Sequence, residues 1–304
     1  MGRFGGGRIL FFFNSSGGTA RVEVFGNGSL DISPHDAPGL TIGSIEGDGK
    51  VFLGANNLSV GNNGLSTLFS GVMQDGDGFN GSGTGGSLTK IGRGTLTLSR
   101  ANTYTGDTNI NGGVLQVDGS IVSPNTFVNA GGTLGGKGIV GGNVINDGIV
   151  SPGDSPGTLH VGGNYSQGSG GTLEIEIASL LSFDQLVVAG TASLSGTLDV
   201  TLDGYTGHAG DIFTILTSSG LSGNFLNLDL PELSDGLFFT ERVTSNDVIL
   251  TVSGSASVPD SGSNGLLLGC TLAGLFVAAR IPPRFRRYAR DKGSGSASNF
   301  GALV

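Results

Sequence analysis

The chain has 304 residues, of which 59 are glycine, nine are proline, one is cysteine and none is tryptophan. Glycine far above its usual share of ~7%, with no G-X-Y period, excludes a collagen-like rod and calls for many tight turns or close backbone approaches. A net charge of −9 with 13% charged residues excludes a phosphate-neutralising nucleic-acid binder, the lone Cys270 excludes a disulfide framework, and a mean hydropathy of +0.15 supplies apolar groups to bury.

The chain opens with MGRFGGGRILFFF, in which Arg3 and Arg8 precede only five apolar residues, 9–13. That is shorter than the ~7–15 residue core of an export signal, so the reading is a rung of a longer solenoid that lacks its upstream repeats and leader. Next, residues 74–78, QDGDG, begin like a calcium loop. Phe79 stands where an oxygen ligand belongs and no Glu follows at the twelfth position, which leaves an acidic turn.

From residue 86 onward, apolar and polar residues alternate with period two at 95–98 (TLTL), 115–117 (LQV), 173–177 (LEIEI), 198–202 (LDVTL) and 248–252 (VILTV). Each is a half-buried strand. Between them lie turn clusters such as NGG (111–113), NDG (146–148) and SPGDSPG (151–157), rich in residues that tolerate positive φ or preset a turn. The same kind of unit recurs with no crossover helix, which favours a coil of stacked rungs over a sandwich or closed barrel. Inward Leu, Val and Ile should then fill a narrow core while Thr, Asn, Asp and Glu face water, and the coil should be right-handed like other parallel crossovers.

The sequence resembles a known repeat at this point. GSLTKIGRGTLTLSRANTYTGDTNINGGVLQV (86–117) is similar to the autotransporter-associated β-strand repeat of bacterial passenger proteins; residues 45–58, SPGDSPGTLHVGGNYSQ (151–167) and FDQLVVAGTASLSGTLDVTL (183–202) resemble the same family. The resemblance implies an all-β, right-handed parallel β-helix over residues 1–253, displayed outside the cell. It also marks a departure, because only about fifty residues follow Thr251, too few for the family's membrane barrel.

Those last residues have their own order of parts. Val258-Pro259-Asp260-Ser261-Gly262 lies in a linker, 254–264; a short hydrophobic helix is expected over 265–281, through Gly265, Leu266, Leu267, Leu268, Leu272, Leu275, Phe276 and Val277; Arg280, Arg284, Arg286 and Arg287 then open a basic, disordered tail, 282–304. The apolar run 265–279 is 15 residues against the ~20 of a comfortable span, and the arginines mark its cytoplasmic side. Motif, helix and basic tail together resemble the VPDSG variant of PEP-CTERM sorting signals. That resemblance implies a Gram-negative host, an exosortase-type protease as partner, a transient inner-membrane anchor, and release to the cell surface or extracellular matrix.

Chemistry is sparsely signalled. His35, His160 and His208 carry no metal-ligand spacing, so no metal or cofactor is expected. GDSPG (153–157) lacks the strand-to-helix setting of a nucleophile elbow and reads as a turn. Glu174, Glu176, Asp199 and Asp203 point outward by alternation, as in β-helix polysaccharide lyases and glycoside hydrolases, yet no Lys or Arg lies between Lys137 and Arg242. The sequence therefore reads as a non-enzymatic, structural or adhesin-like protein, with a polysaccharide-degrading enzyme as the alternative. Extracellular polysaccharide and self-association are the expected contacts. The scarcity of outward aromatics argues against a high-affinity sugar pocket.

Overall fold

The computed structural model describes residues 6–76, 78–79 and 83–254. The sorting motif, the expected hydrophobic helix and the basic tail all lie outside the described residues. The one helical element among those described is a 3-10 turn, Ser234–Gly236.

Strands stack every third element. One rung runs through Ser87–Lys90, Thr95–Leu98 and Ala101–Asn102; the next repeats the course as Thr108–Ile110, Gly113–Val117 and Ser120–Ile121, each strand parallel to its counterpart below. Continued in both directions, this gives three ladders, two of nine strands and one of eight. Such a coil is the β-solenoid that the repeats predict. At the N-terminal side Arg8–Leu10 pairs in parallel with Ser29–Asp31 in a separate four-stranded sheet, so Ile9 and Leu10 of the opening apolar segment enter a ladder while Phe12 and Phe13 stand exposed beyond it.

The alternation seen in the sequence is the alternation of burial. Leu96, Leu98, Leu115, Val117, Leu173, Ile175, Ile177, Leu198, Val200, Val248, Leu250 and Val252 all point inward and are buried, each on the aliphatic side chains of neighbouring rungs. Burying a leucine this way contributes ~1.5–3 kcal/mol, and stacking rung on rung lets a chain without helices reach that burial.

Glycine permits the close passage of neighbouring coils. At Gly61, with φ of +128°, a Cβ would overlap the Ile91 carbonyl oxygen of the next rung; at Gly136, with φ of +112°, it would overlap that of Val117. Neither position admits a side chain without moving backbone.

Two features depart from a uniform parallel coil. Leu237–Val243 and Asp247–Gly254 form an antiparallel hairpin that closes the third ladder against Ile212–Thr217, so the 248–252 segment belongs to a cap and not to a rung. Thr172–Ser179 overruns its rung and folds back antiparallel through Ser182–Phe183, leaving Leu181 97% exposed at the tip.

The core is also less purely aliphatic than expected. Lys90, Asn102, Thr108, Thr126, Asn146 and Gln167 are buried, together with Tyr104 and Tyr165. All but Thr126, whose hydroxyl has no hydrogen-bond partner, are accommodated by hydrogen bonding along the coil: Tyr104 Oη to Thr108 Oγ1 at 2.7 Å and on to Ser123 Oγ at 2.6 Å, and Asn146 Nδ2 to Tyr165 Oη at 3.1 Å. Outside the core, side-chain amides form a ladder at an 18-residue repeat that ends on a carboxylate: Asn143 Nδ2 donates to Asn125 Oδ1, and Asn125 Nδ2 to Asp107 Oδ1, each at 3.1 Å.

Candidate functional site

The second ladder, which contains Thr95–Leu98, Gly113–Val117, Gly132–Gly136, Ile149–Pro152, Thr172–Ser179 and Thr197–Leu202, carries a groove of about 430 Å³ on its outer face. The floor is made by outward residues of successive rungs, and one wall by the loop 153–157. Alternation forces Glu174 and Glu176 to one side of their strand, with Leu173, Ile175 and Ile177 on the other. In register, Glu174 lies beside Asp199, and Asp199 beside Asp229 of the following rung.

This column of like charges sets the electrostatics. Partial burial, followed by the nearness of Asp199, raises the Glu174 carboxyl above its ordinary range, while a hydrogen bond with Ser151 opposes the shift. Burial and then Asp229 do the same to Asp199. Cross-strand neighbours of like charge are destabilising, so the column is an unfavourable element retained on an otherwise well-paired face.

The wall of the groove is built by SPGDSPG. Gly153 with φ of +96° and Ser155 with φ of +58° turn the chain tightly. Above the loop, Asp154 pairs with Lys137 at 3.2 Å and accepts from Gln116 Nε2 at 3.2 Å. Beneath it, Asp184 is 3% exposed; its Oδ1 accepts the Gly157 N–H at 2.8 Å and its Oδ2 the Glu176 N–H at 2.9 Å. Burial pushes the Asp184 carboxyl up to about 6, the two amides hold it down, and the Glu176 charge adds to the rise.

Of the carboxylates singled out from alternation, Glu174, Glu176 and Asp199 meet in the groove, while Asp203 lies exposed outside it. Sequence reasoning missed Asp154, Asp184, Gln116 and Lys137. The loop reading of 153–157 holds, but its role as a wall depends on partners 17 to 38 positions away. The cation gap between Lys137 and Arg242 is real in sequence, and folding still brings Lys137 to the rim.

Other expectations fall elsewhere. Asp75 is not a solvated acidic turn: it is buried, accepting the Thr105 hydroxyl at 2.6 Å and the Gly85 N–H at 3.2 Å. His160 stands exposed between Ile139 and Val187 on the third ladder, and His208 lies 3.6 Å from Asp211. Outward aromatics are not scarce. Phe13, Phe25 and Phe79 are 70%, 61% and 60% exposed, and Phe12 meets Phe79 edge-on with centroids 5.3 Å apart.

Three stacked ladders and the 86–117 unit frame the comparison with known proteins. Residues 88–117 match the passenger-associated-transport-repeat. An extracellular serine protease of Serratia marcescens is 37% identical over 153 residues, 47% of this chain and 14% of that protein. The BmaC autotransporter adhesin of Brucella suis is 30% identical over 257 residues, 78% of this chain and 7% of that protein. The autotransporter lipoprotein NalP of Neisseria meningitidis is 28% identical over 227 residues, 72% of this chain and 20% of that protein. The chain thus spans a fifth or less of the length of these relatives.

The comparison corrects one reading. The chain was expected to be non-enzymatic, and two of its relatives are named extracellular serine proteases. Stretches similar to about half of this chain occur in proteins named as proteases, so scarce chemistry within this stretch does not make the protein a non-enzyme.

Proposed function

We propose that this chain is part of an exported, surface-displayed β-solenoid with a structural and adhesin-like role, presenting its polar ladders to extracellular polysaccharide or to neighbouring copies. The observation that carries the reading is the three-faced, mainly parallel coil with a passenger repeat at 88–117, supported by an autotransporter adhesin that aligns with 78% of the chain. A stack of rungs buries its own core and leaves long, regular outer faces, the geometry for many weak contacts along an extended partner. Labelling of intact cells with an impermeant amine reagent tests display, and binding of the purified chain to host matrix polysaccharide tests adhesion. Protection of the chain in intact cells, or no retention on that polysaccharide, overturns the corresponding half.

The export route belongs to the same proposal. Val258 to Gly262, the apolar run 265–279 and the arginines from Arg280 support a sorting signal read by an exosortase-type protease, with the apolar run as a transient inner-membrane anchor. The intact mass of the protein from the host envelope and medium decides it. A C-terminus near the VPDSG motif fits sorting, whereas a full-length tail retained in the inner membrane makes the run a plain anchor.

A second reading is favoured by the groove. Glu174, Glu176 and Asp199 line one cleft with a rim lysine, an arrangement suited to acid–base cleavage of a polysaccharide. Turnover of a polysaccharide panel, lost in Glu174→Gln and Glu176→Gln, would establish it.

A further inference from the structure

One buried carboxylate ties the loop 153–157 to the ladder strand beside it. Asp184 bonds two backbone amides from different elements: Gly157, at the end of the loop, and Glu176, in the ladder strand Thr172–Ser179. The strand side is pinned twice more, since the Asp184 N–H donates to the Glu176 carbonyl at 2.9 Å and Glu176 pairs in register with Thr201. The loop is pinned at its two ends, where Gly153 and Gly136 exchange backbone bonds at 2.8 and 3.1 Å and the Gly157 carbonyl accepts the Gln185 N–H at 2.9 Å, and is freer between them. Its remaining side-chain anchors are the exposed pair Lys137–Asp154 and the Gln116 amide.

An ionised carboxylate accepts strongly at both oxygens; a protonated one keeps one carbonyl acceptor and turns the other oxygen into a hydroxyl, a weaker acceptor that carries its own hydrogen. Both neighbours of Asp184 here are N–H donors, so protonation weakens one of the two bonds. The strand amide is fixed, and the loop amide is the one that can give way. We propose that Asp184 is a pH-dependent latch, holding residues 154–156 of the wall against the groove while ionised and releasing the Gly157 amide when protonated.

The surroundings favour protonation in a mildly acidic medium. The titratable groups that line the groove with Asp184 are all carboxylates, namely Asp154, Glu174, Glu176 and Asp199; the nearby cation, Lys137, is engaged by Asp154. Burial first, and Glu176 after it, bring the Asp184 carboxyl to about 6. The latch opens within that range and not near 4, where a solvated aspartate titrates. It stands on the geometry of the wall and holds whichever reading of the groove's function is right.

Amide NMR of the full chain in detergent micelles tests it. Between about pH 7.5 and 4.5 the Gly157 amide should shift upfield with a midpoint near 6, and its exchange, corrected for intrinsic pH dependence, should rise about tenfold while Glu176 stays protected. Asp184→Asn should exchange rapidly at Gly157 at every pH. Should that variant not fold, Glu176→Gln provides the second test, because removing the neighbouring charge should move the Gly157 midpoint to lower pH. A Gly157 amide that keeps its shift and protection throughout the range, or a midpoint unmoved in Glu176→Gln, overturns the latch.

Discussion

Lys90 Nζ donates to the Gly112 carbonyl of the next rung at 3.0 Å, from a position in the core column between Val60 and Ile110. The ammonium also reaches the carbonyls of Ile91 at 2.8 Å and Gly92 at 3.4 Å, so a cation is held inside the coil by backbone oxygens. Its side chain stitches two corners together where an aliphatic residue would end short.

Burial lowers the Lys90 pKa to about 8. Between that value and its ordinary one near 10.5, the unfolded chain holds the proton more tightly than the folded one, so stability rises with pH across this window. The gain should be on the order of 2 kcal/mol, since the three carbonyls offset part of the desolvation. Urea unfolding at a series of pH values should show this upward slope in the native chain and a flat profile in Lys90→Met. A profile that falls from pH 8 to 10 in the native chain contradicts the assignment.

Gly61→Ala should destabilise by ~2–4 kcal/mol, combining overpacking with an unfavourable backbone angle. The new Cβ would meet the Ile91 carbonyl oxygen, which lies just past the strand Ser87–Lys90 and is held by the Lys90 ammonium. Gly7→Ala provides the control, since nothing lies within 4 Å of a Cβ there. Thermal unfolding of the two variants should separate them clearly, the first losing several degrees and the second little.

Much of this architecture is legible from parity alone. Leu173, Ile175 and Ile177 alternate with Thr172, Glu174 and Glu176, and the coil follows that pattern strand by strand. Parity also held a signal that residue type concealed: Lys90 shares the inward side with Leu88, and Gln167 with Tyr165, so a strict reading of period two places both in the core. Asp184 had no such signal. Its role comes from Gly157, 27 positions earlier, and sequence spacing does not show which loop will pass over which rung. The capping hairpin was missed for a related reason, since alternation is the same in parallel and antiparallel strands.

The acidic column predicts a stabilising substitution. Asp199 stands between Glu174 and Asp229, and the first two carboxyls are raised, so this pair favours the fold less as pH climbs above their ordinary values near 4 and through the raised ones. Asp199→Asn should add ~0.5 kcal/mol at neutral pH by relieving the repulsion, with a larger effect at low salt. Denaturant titrations at two ionic strengths would check it; a loss of stability at both would show that the column is held together by something other than its own charges.

Gln167 makes the opposite case, a polar side chain the coil depends on. Its Nε2 donates to the carbonyls of Gly171, Ser195 and Thr197 at 3.2, 2.8 and 2.9 Å, and its Oε1 accepts from the Tyr165 hydroxyl at 2.5 Å. Leucine in its place would fill similar volume, leave the corner carbonyls without their donor and leave the Tyr165 O–H, whose oxygen still accepts from Asn146, without its acceptor, at ~2–3 kcal/mol. Tyr165→Phe, which removes one member of the same network, should cost less, and the double variant less than the sum, because the phenol is no longer there to be stranded. Unfolding free energies of the two single variants and the double variant measure that coupling directly. Strict additivity would mean that the hydroxyl and the amide stabilise the coil independently, and that Gln167 acts through its three carbonyls alone.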